Sequence, residues 1–329
     1  MKQLLAYCLS IILCVSFTGC MENYLDLYPE DKITSASFPE NESDIKLLLN
    51  GVYAQLREKE VYNQGLFGFG ITDGATPNAF NWGTDEVFNK LGAGRLSSSD
   101  GGVVTYRWKR CYEIISRANY LLACMDLVDL SEEAKAKYSG ETHFLRGLAY
   151  SVLAETYGGV PIILTNISTE EARSLKRASL EETWQQALDD YEVAITNLGV
   201  DAPEPGRATK GAALGMKMRA YLYQGKYKEV LSCVEQIDAL KKYGLFHSYE
   251  GLFDPANENN KEVLFDIQYI EGENSQGSYI DQYCGTGTGS WTRGSRYVPT
   301  DDLVAAYETI DGSPVDPENP YENRDPRLG

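Results

Sequence analysis

A 3.6-residue apolar rhythm recurs, segment after segment, between residues 43 and 245, and few architectures can absorb it. Its cleanest instance is "SLEETWQQALDDYEVAITNL" (Ser179–Leu198). Ser179 and Glu182 have the spacing of a capping box, and Trp184, Ala187, Leu188, Tyr191, Ile195 and Leu198 fall on one face. "SDIKLLLNGVYAQLREKE" predicts another helix, with Ser43 or Asp44 as cap and Ile45, Leu48, Leu49, Val52 and Leu56 inward. "TYRWKRCYEIISRANYLLACMDLV" and "SEEAKAKYSGETHFLRGLAYSVLAETYGGVP" predict two more. In the second, Leu145, Leu148, Ala149, Val152, Leu153 and Thr156 form a stripe, ended by Gly158 and Gly159 with Pro161 beyond. Helices that each need a partner for one face predict a mainly α fold.

The last two periodic segments, "RATKGAALGMKMRAYLYQG" and "KYKEVLSCVEQIDALKKYG", read as a helix–turn–helix. Small residues Ala208, Gly211, Ala212 and Gly215 are expected to admit the second helix closely. Ala208 to Lys241 is near the ~34-residue period of a tetratricopeptide repeat, and "RGLAY…ETYGG" echoes "MRAYLYQGKY". The pattern resembles a degenerate tetratricopeptide-like scaffold of helix pairs.

Two long stretches break the rhythm. Tyr62–Gly102 and Glu273–Tyr297 are rich in Gly, Ser and aromatic residues. Their length exceeds ordinary connections, and loops of that kind are commonly functional. "KEVLFDIQYIEG" has a β-like apolar core, Val263–Ile267. "VPTDDLVAAYE" predicts a short helix capped by Thr300, with Asp301 and Asp302 at its positive end. Turn-forming residues fill the remainder.

The start of the chain has a different character. An apolar run from Leu4 to Val15 follows Lys2 and spans about 18 Å as a helix, short of a ~30 Å hydrocarbon core. Thr18, Gly19 and Cys20 follow, then an acidic polar stretch. This order resembles a bacterial lipobox, with Phe17 where Leu is usual. It predicts a signal peptide over 1–19 and lipidation (palmitate among the acyl chains) at Cys20. The alternative is an ordinary signal peptide that leaves Cys20 a free thiol. Several acyl chains would give stable anchoring.

Composition excludes some roles. A formal charge of −18 disfavours nucleic acid, whose affinity derives from neutralised phosphates. Beyond Cys20, the cysteines Cys111, Cys124, Cys233 and Cys284 form no CxxC pair, and only His143 and His247 accompany them. No metal or other cofactor is expected, and one disulfide is possible without a defined pairing. No HExxH, GxSxG or Walker GK[ST] occurs. "GTGTGS" reads as a loop, His143 as structural. The acidic pairs Glu181–Glu182, Asp189–Asp190 and Asp301–Asp302 read as solvated faces or cap charges, so no catalytic residue is assigned.

The lipobox, "YLDLYPEDKIT", "ETHFLRGLAYSVLAETYGGVP", "RATKGAALGMKMRAYLYQGKYKEV", "LFDPANENNKEVLFDIQY" and "VPTDDLVAAYETIDG…NPYENRDPRL", in this order, resemble the SusD/RagB outer-membrane nutrient-binding lipoproteins. The resemblance implies a SusD-like fold of helix pairs carrying an irregular, loop-rich subdomain. It implies a non-enzymatic, lipid-anchored protein on the outer membrane, facing outward. Such a protein would pass an oligosaccharide ligand to a SusC-like TonB-dependent transporter. It also implies a chain continuing past "RDPRL". The expected organisation is signal peptide 1–19, tether 20–42, helical domain 43–245 and an incomplete irregular region 246–329.

Sugar binding needs an aromatic ring against the C–H face of a pyranose and polar groups for its hydroxyls. Trp108 and Trp184 fall on predicted helices and default to the core. Trp82 and Trp291 fall in the two long loops, Trp82 near Asn81, and Trp291 near Tyr283, Arg293 and Arg296. These six are the glycan-binding candidates, because loops on a rigid scaffold concentrate binding residues. A peptide- or protein-binding lipoprotein and an extracellular hydrolase are the alternatives.

Overall fold

In the computed structural model, α1 (Glu42–Tyr53) opens the helical region. The structure describes residues 38–57, 73–81, 90–269 and 297–328. The cap of α1 is Asn41, rather than Ser43 or Asp44. Asn41 Oδ1 accepts the Asp44 N–H at 3.2 Å, which leaves Glu42 and Asp44 in the first turn, favourable for carboxylates. Ile45, Leu49 and Val52 are buried as expected, and a 3₁₀ turn over Ala54–Arg57 brings Leu56 into the same core.

Then follow α2 (Val103–Cys124), α3 (Glu132–Tyr157), α4 (Thr169–Ser174), α5 (Leu180–Asn197), α6 (Lys210–Tyr223) and α7 (Tyr227–Ala239). Packing is serial: α1 lies on α2 and α3, α3 runs along α2 and α5, α5 meets α6, and α6 meets α7. This is a tetratricopeptide-like scaffold. The Ser179–Glu182 capping box is present at α5, with Ser179 N–H donating to Glu182 Oε2 at 2.7 Å. Trp184 is buried in the core, and Trp108 packs edge-on against Tyr157 with ring centroids 5.2 Å apart.

Helix α3 departs from its predicted single stripe. From Phe144 to Ala154 every residue is buried, while Thr156, placed on the stripe, is exposed. Because α1, α2 and α5 surround it, its polar side chains must find partners inside. They find them in residues read from sequence as solvated. Asp190, expected on a wet face, is 1% exposed. Arg146 Nε and one terminal nitrogen reach its two oxygens at 2.7–3.2 Å, and His143 Nδ1 lies 2.7 Å from Oδ1. Arg146 also donates to Asn119 Oδ1 at 2.8 Å, linking α2 to the knot. Burial pushes the Asp190 carboxyl up, but the hydrogen bonds from His143 and Arg146 outweigh it and hold the group below its ordinary range. Its neighbour Asp189 does face solvent and accepts from Gln185 at 2.7 Å.

The segment after α3 is extended, yet side chains rather than a strand satisfy much of its backbone. Tyr112 and Asn119 donate to the carbonyls of Pro161 and Ile163, and the Tyr150 hydroxyl bonds both Ile163 N–H and C=O. Arg177 donates to the carbonyls of Tyr157 and Gly159, placing a cation at the negative end of α3.

Two further expectations change. Gly211 and Gly215 do not open space for α7. A Cβ on Gly211 would stand 2.2 Å from the Tyr243 ring, and one on Gly215 would stand 2.8 Å from Leu264. The small face of α6 therefore receives residues that follow α7. Val263–Ile267 is no strand either: nothing among the described residues pairs with it, and its apolar groups pack on the helices, Phe265 edge-on to Phe144 at 4.9 Å. The thiols of Cys111, Cys124 and Cys233 are free and buried, and Cys284 lies outside the described residues. Near the end, α8 (Asp301–Ala306) is capped by Thr300 as predicted.

Candidate functional site

A short ladder ties a segment of the first aromatic stretch to the end of the second. Strand β1 (Ala79–Asn81) pairs antiparallel with β2 (Tyr297–Pro299), in the register Ala79↔Pro299, Phe80↔Val298 and Asn81↔Tyr297. Thr300 locks the pair. Its N–H donates to Asn78 C=O at 3.0 Å and its hydroxyl donates to Pro77 C=O at 2.7 Å, while the same oxygen accepts Leu303 N–H at 3.2 Å to cap α8. In sequence, Trp82 directly follows Asn81 and Arg296 directly precedes Tyr297. Of the predicted binding residues, the Asn81 backbone is thus in the ladder. Trp82, Tyr283, Trp291, Arg293 and Arg296 lie outside the described residues, as do the "GTGTGS" run and Cys20 with its leader.

One aromatic residue of the first long stretch lies outside the six binding candidates. Phe80 is 57% exposed, an aromatic ring displayed on a paired strand. An aromatic residue two positions before Trp82 was the available signal.

A polar cleft of about 400 Å³ lies between α1, the turn Glu204–Arg207 and the segment Phe265–Gln268. Arg207 organises it. The guanidinium stacks on the Tyr53 ring at 5.0 Å and donates to Asn50 Oδ1 at 2.5 Å and to Glu141 Oε2 at 3.5 Å. Tyr53 donates its hydroxyl to Glu141 at 2.8 Å and accepts Ala208 N–H at 2.9 Å. Burial pushes the Tyr53 hydroxyl well above its ordinary value, and burial likewise raises the Glu141 carboxyl despite the bonds it receives. Lys46 pairs with Glu204 at 2.7 Å on the rim.

A larger, mainly apolar cavity of about 810 Å³ opens between α3, α6 and residues 252–269, with Met216, Phe253, Phe265 and Ile267 among its walls. A pocket of about 150 Å³ beside it is edged by Trp184, Arg219 and Tyr223. Among the described residues, no group of three or more His, Cys, Asp or Glu is arranged to hold a metal ion, and no helix is long and apolar enough to cross a membrane.

A helix-pair scaffold with one short two-stranded ladder defines a fold class rather than a single member of it. Residues 23–222 match the SusD-like family model described as starch-binding and associating with the outer membrane, and the chain belongs to the SusD-like family. It is 26% identical to the SusD-like protein P25 of Formosa agariphila, over 91% of this chain and 58% of that one. A SusD-like protein of Bacteroides ovatus is 23% identical over 77% of this chain and 48% of its own length. Among solved structures, a SusD-like carbohydrate-binding protein of Bacteroides fragilis superposes with a TM-score of 0.77 at 28% identity, covering 87% of this chain and 58% of that protein. A laminarin-binding SusD-like protein shares the fold, with a TM-score of 0.65 at 22% identity over 77% of this chain and 54% of its own. The chain thus spans about half the length of these relatives.

Proposed function

We propose that this protein captures an oligosaccharide outside the cell and hands it to a SusC-like TonB-dependent transporter, without breaking a bond. It would be held to the outer membrane by acyl chains on Cys20. The observation that carries the reading is the β1–β2 ladder, which pairs the residue before Trp82 with the residue after Arg296 on a SusD-like scaffold. Trp82 and Trp291 supply rings for pyranose faces. Tyr283, Asn81, Arg293 and Arg296 meet the hydroxyls. The carbohydrate binding named for relatives in the family supports the ligand class.

The test is calorimetric titration of the full chain with neutral glycans, laminarin and starch oligosaccharides included, and with peptides. Binding of one glycan, weakened about tenfold or more by Trp82→Ala or Trp291→Ala, is expected. Binding of peptides alone, or release of cleaved glycan, would overturn the reading. Mass spectrometry of the mature N-terminus checks acylation of Cys20, and co-purification from membranes checks the transporter.

A further inference from the structure

The polar cleft around Arg207 has the chemistry of a sugar site, and it is built from α1 and two chain segments other than the aromatic loops. We propose that it binds one or two units of a neutral saccharide, as a second site independent of Trp82 and Trp291.

The first argument is preorganisation. Arg207 is only 11% exposed in its side chain, and Glu141 beneath it only 2%. Tyr53, Asn50 and Glu204 fix the guanidinium from three further sides. A floor held this way spends little entropy on ordering when a ligand arrives. The volume of about 400 Å³ lies within the ~300–1,000 Å³ common for small-molecule sites.

The second argument is unused hydrogen-bonding capacity. Asn50 spends its carbonyl oxygen on Arg207, which leaves both amide N–H groups as donors. Gln268 spends its amide nitrogen on Asn259 at 3.2 Å, which leaves its oxygen as an acceptor. Asp266 lines the cleft with no partner among the described residues, a carboxylate with open lone pairs. Lys46 uses one of its three N–H groups on Glu204. Every sugar hydroxyl both gives and accepts a hydrogen bond, so neighbouring hydroxyls need donors and acceptors interleaved, as here.

The third argument concerns charge. The cleft's cations Lys46, Arg57 and Arg207 are equal in number to the carboxylates Glu204, Asp266 and, beneath Arg207, Glu141, and Lys46 and Arg207 are already paired with Glu204 and Glu141. Anionic sugars therefore meet no net positive charge. Phe265 and Ile267 on the same wall offer apolar surface for the C–H face of a pyranose.

The test uses the full chain and its Trp82→Ala/Trp291→Ala variant, titrated by saturation-transfer NMR with maltose, laminaribiose, xylobiose and digalacturonate. The expected result is that the double variant still binds a neutral disaccharide and does not prefer digalacturonate. Adding Asn50→Ala or Asp266→Asn should then weaken it about tenfold. Asp266→Asn keeps size and shape, so it guards against a folding artefact in Asn50→Ala. Loss of all disaccharide binding in the double variant would overturn the second site while leaving the loop reading intact. A dissociation constant within twofold after Asp266→Asn and Asn50→Ala, or a preference for digalacturonate, would also overturn it.

Discussion

Replacing Asp190 by alanine should be among the most damaging single changes in the scaffold. The substitution strips Arg146 of three hydrogen bonds, at 2.7, 3.0 and 3.2 Å. It leaves a guanidinium only 6% exposed with Asn119 and His143 as its remaining contacts. Removing one partner of a buried ion pair costs about 3–5 kcal/mol, because an uncompensated charge remains inside. At about 2–4 °C per kcal/mol for domains of comparable size, the melting temperature should fall by roughly 10 °C. Urea titration followed by far-UV circular dichroism measures the loss directly. Asp189→Ala is the matched control, expected to cost no more than about 0.5 kcal/mol because it faces water. The acid dependence has a definite sign. Asp190 titrates below its unfolded value of about 3.9, so its contribution is complete above that pH. It fades as the pH falls through the lower folded value, and the gap between wild type and Asp190→Ala should close there. If the two aspartate variants lose equal stability at neutral pH, the buried-pair account fails.

Other outcomes are equally measurable. Pairing Arg146→Met with Asp190→Leu should recover much of the stability lost by Asp190→Ala, since a well-packed apolar replacement removes both desolvation costs. Gly159→Ala should reach or exceed the upper end of the about 1–3 kcal/mol range for overpacking, because the new Cβ would sit 2.0 Å from the Ala178 carbonyl oxygen. Denaturation curves check both. Cys111 is buried and its thiol is pushed up to about 12 by that burial, so iodoacetamide at mildly alkaline pH should leave it unmodified until the protein unfolds, as peptide mapping would reveal.

Much of the scaffold could be read from local chemistry. The spacing of Ser179 and Glu182 names a helix start, and the α5 stripe names its buried side. Asp190 reads as solvated in sequence because a charge beside a charge looks wet. Yet it sits three residues after Ala187 and four before Ala194, on the buried face, and that position was the clue. Its partners are on α3, 44 and 47 residues away, a distance no window of sequence spans. Val263–Ile267 has strand composition without a strand because an edge needs a second edge, which composition does not supply. Gly211 and Gly215 meet the same limit: small residues announce a close neighbour without saying which. The cleft around Arg207 combines α1 with residues more than 150 positions later, so no local pattern brings its members together.

The lock on the short ladder reaches across 223 positions of chain, from Thr300 to Pro77. A contact that remote returns little until everything between its ends has condensed, because ring-closure entropy must be met first. The ladder should therefore be the last feature to assemble and the first to open on heating. Ligand capture that depends on it would then report whether the whole intervening helical array has been completed.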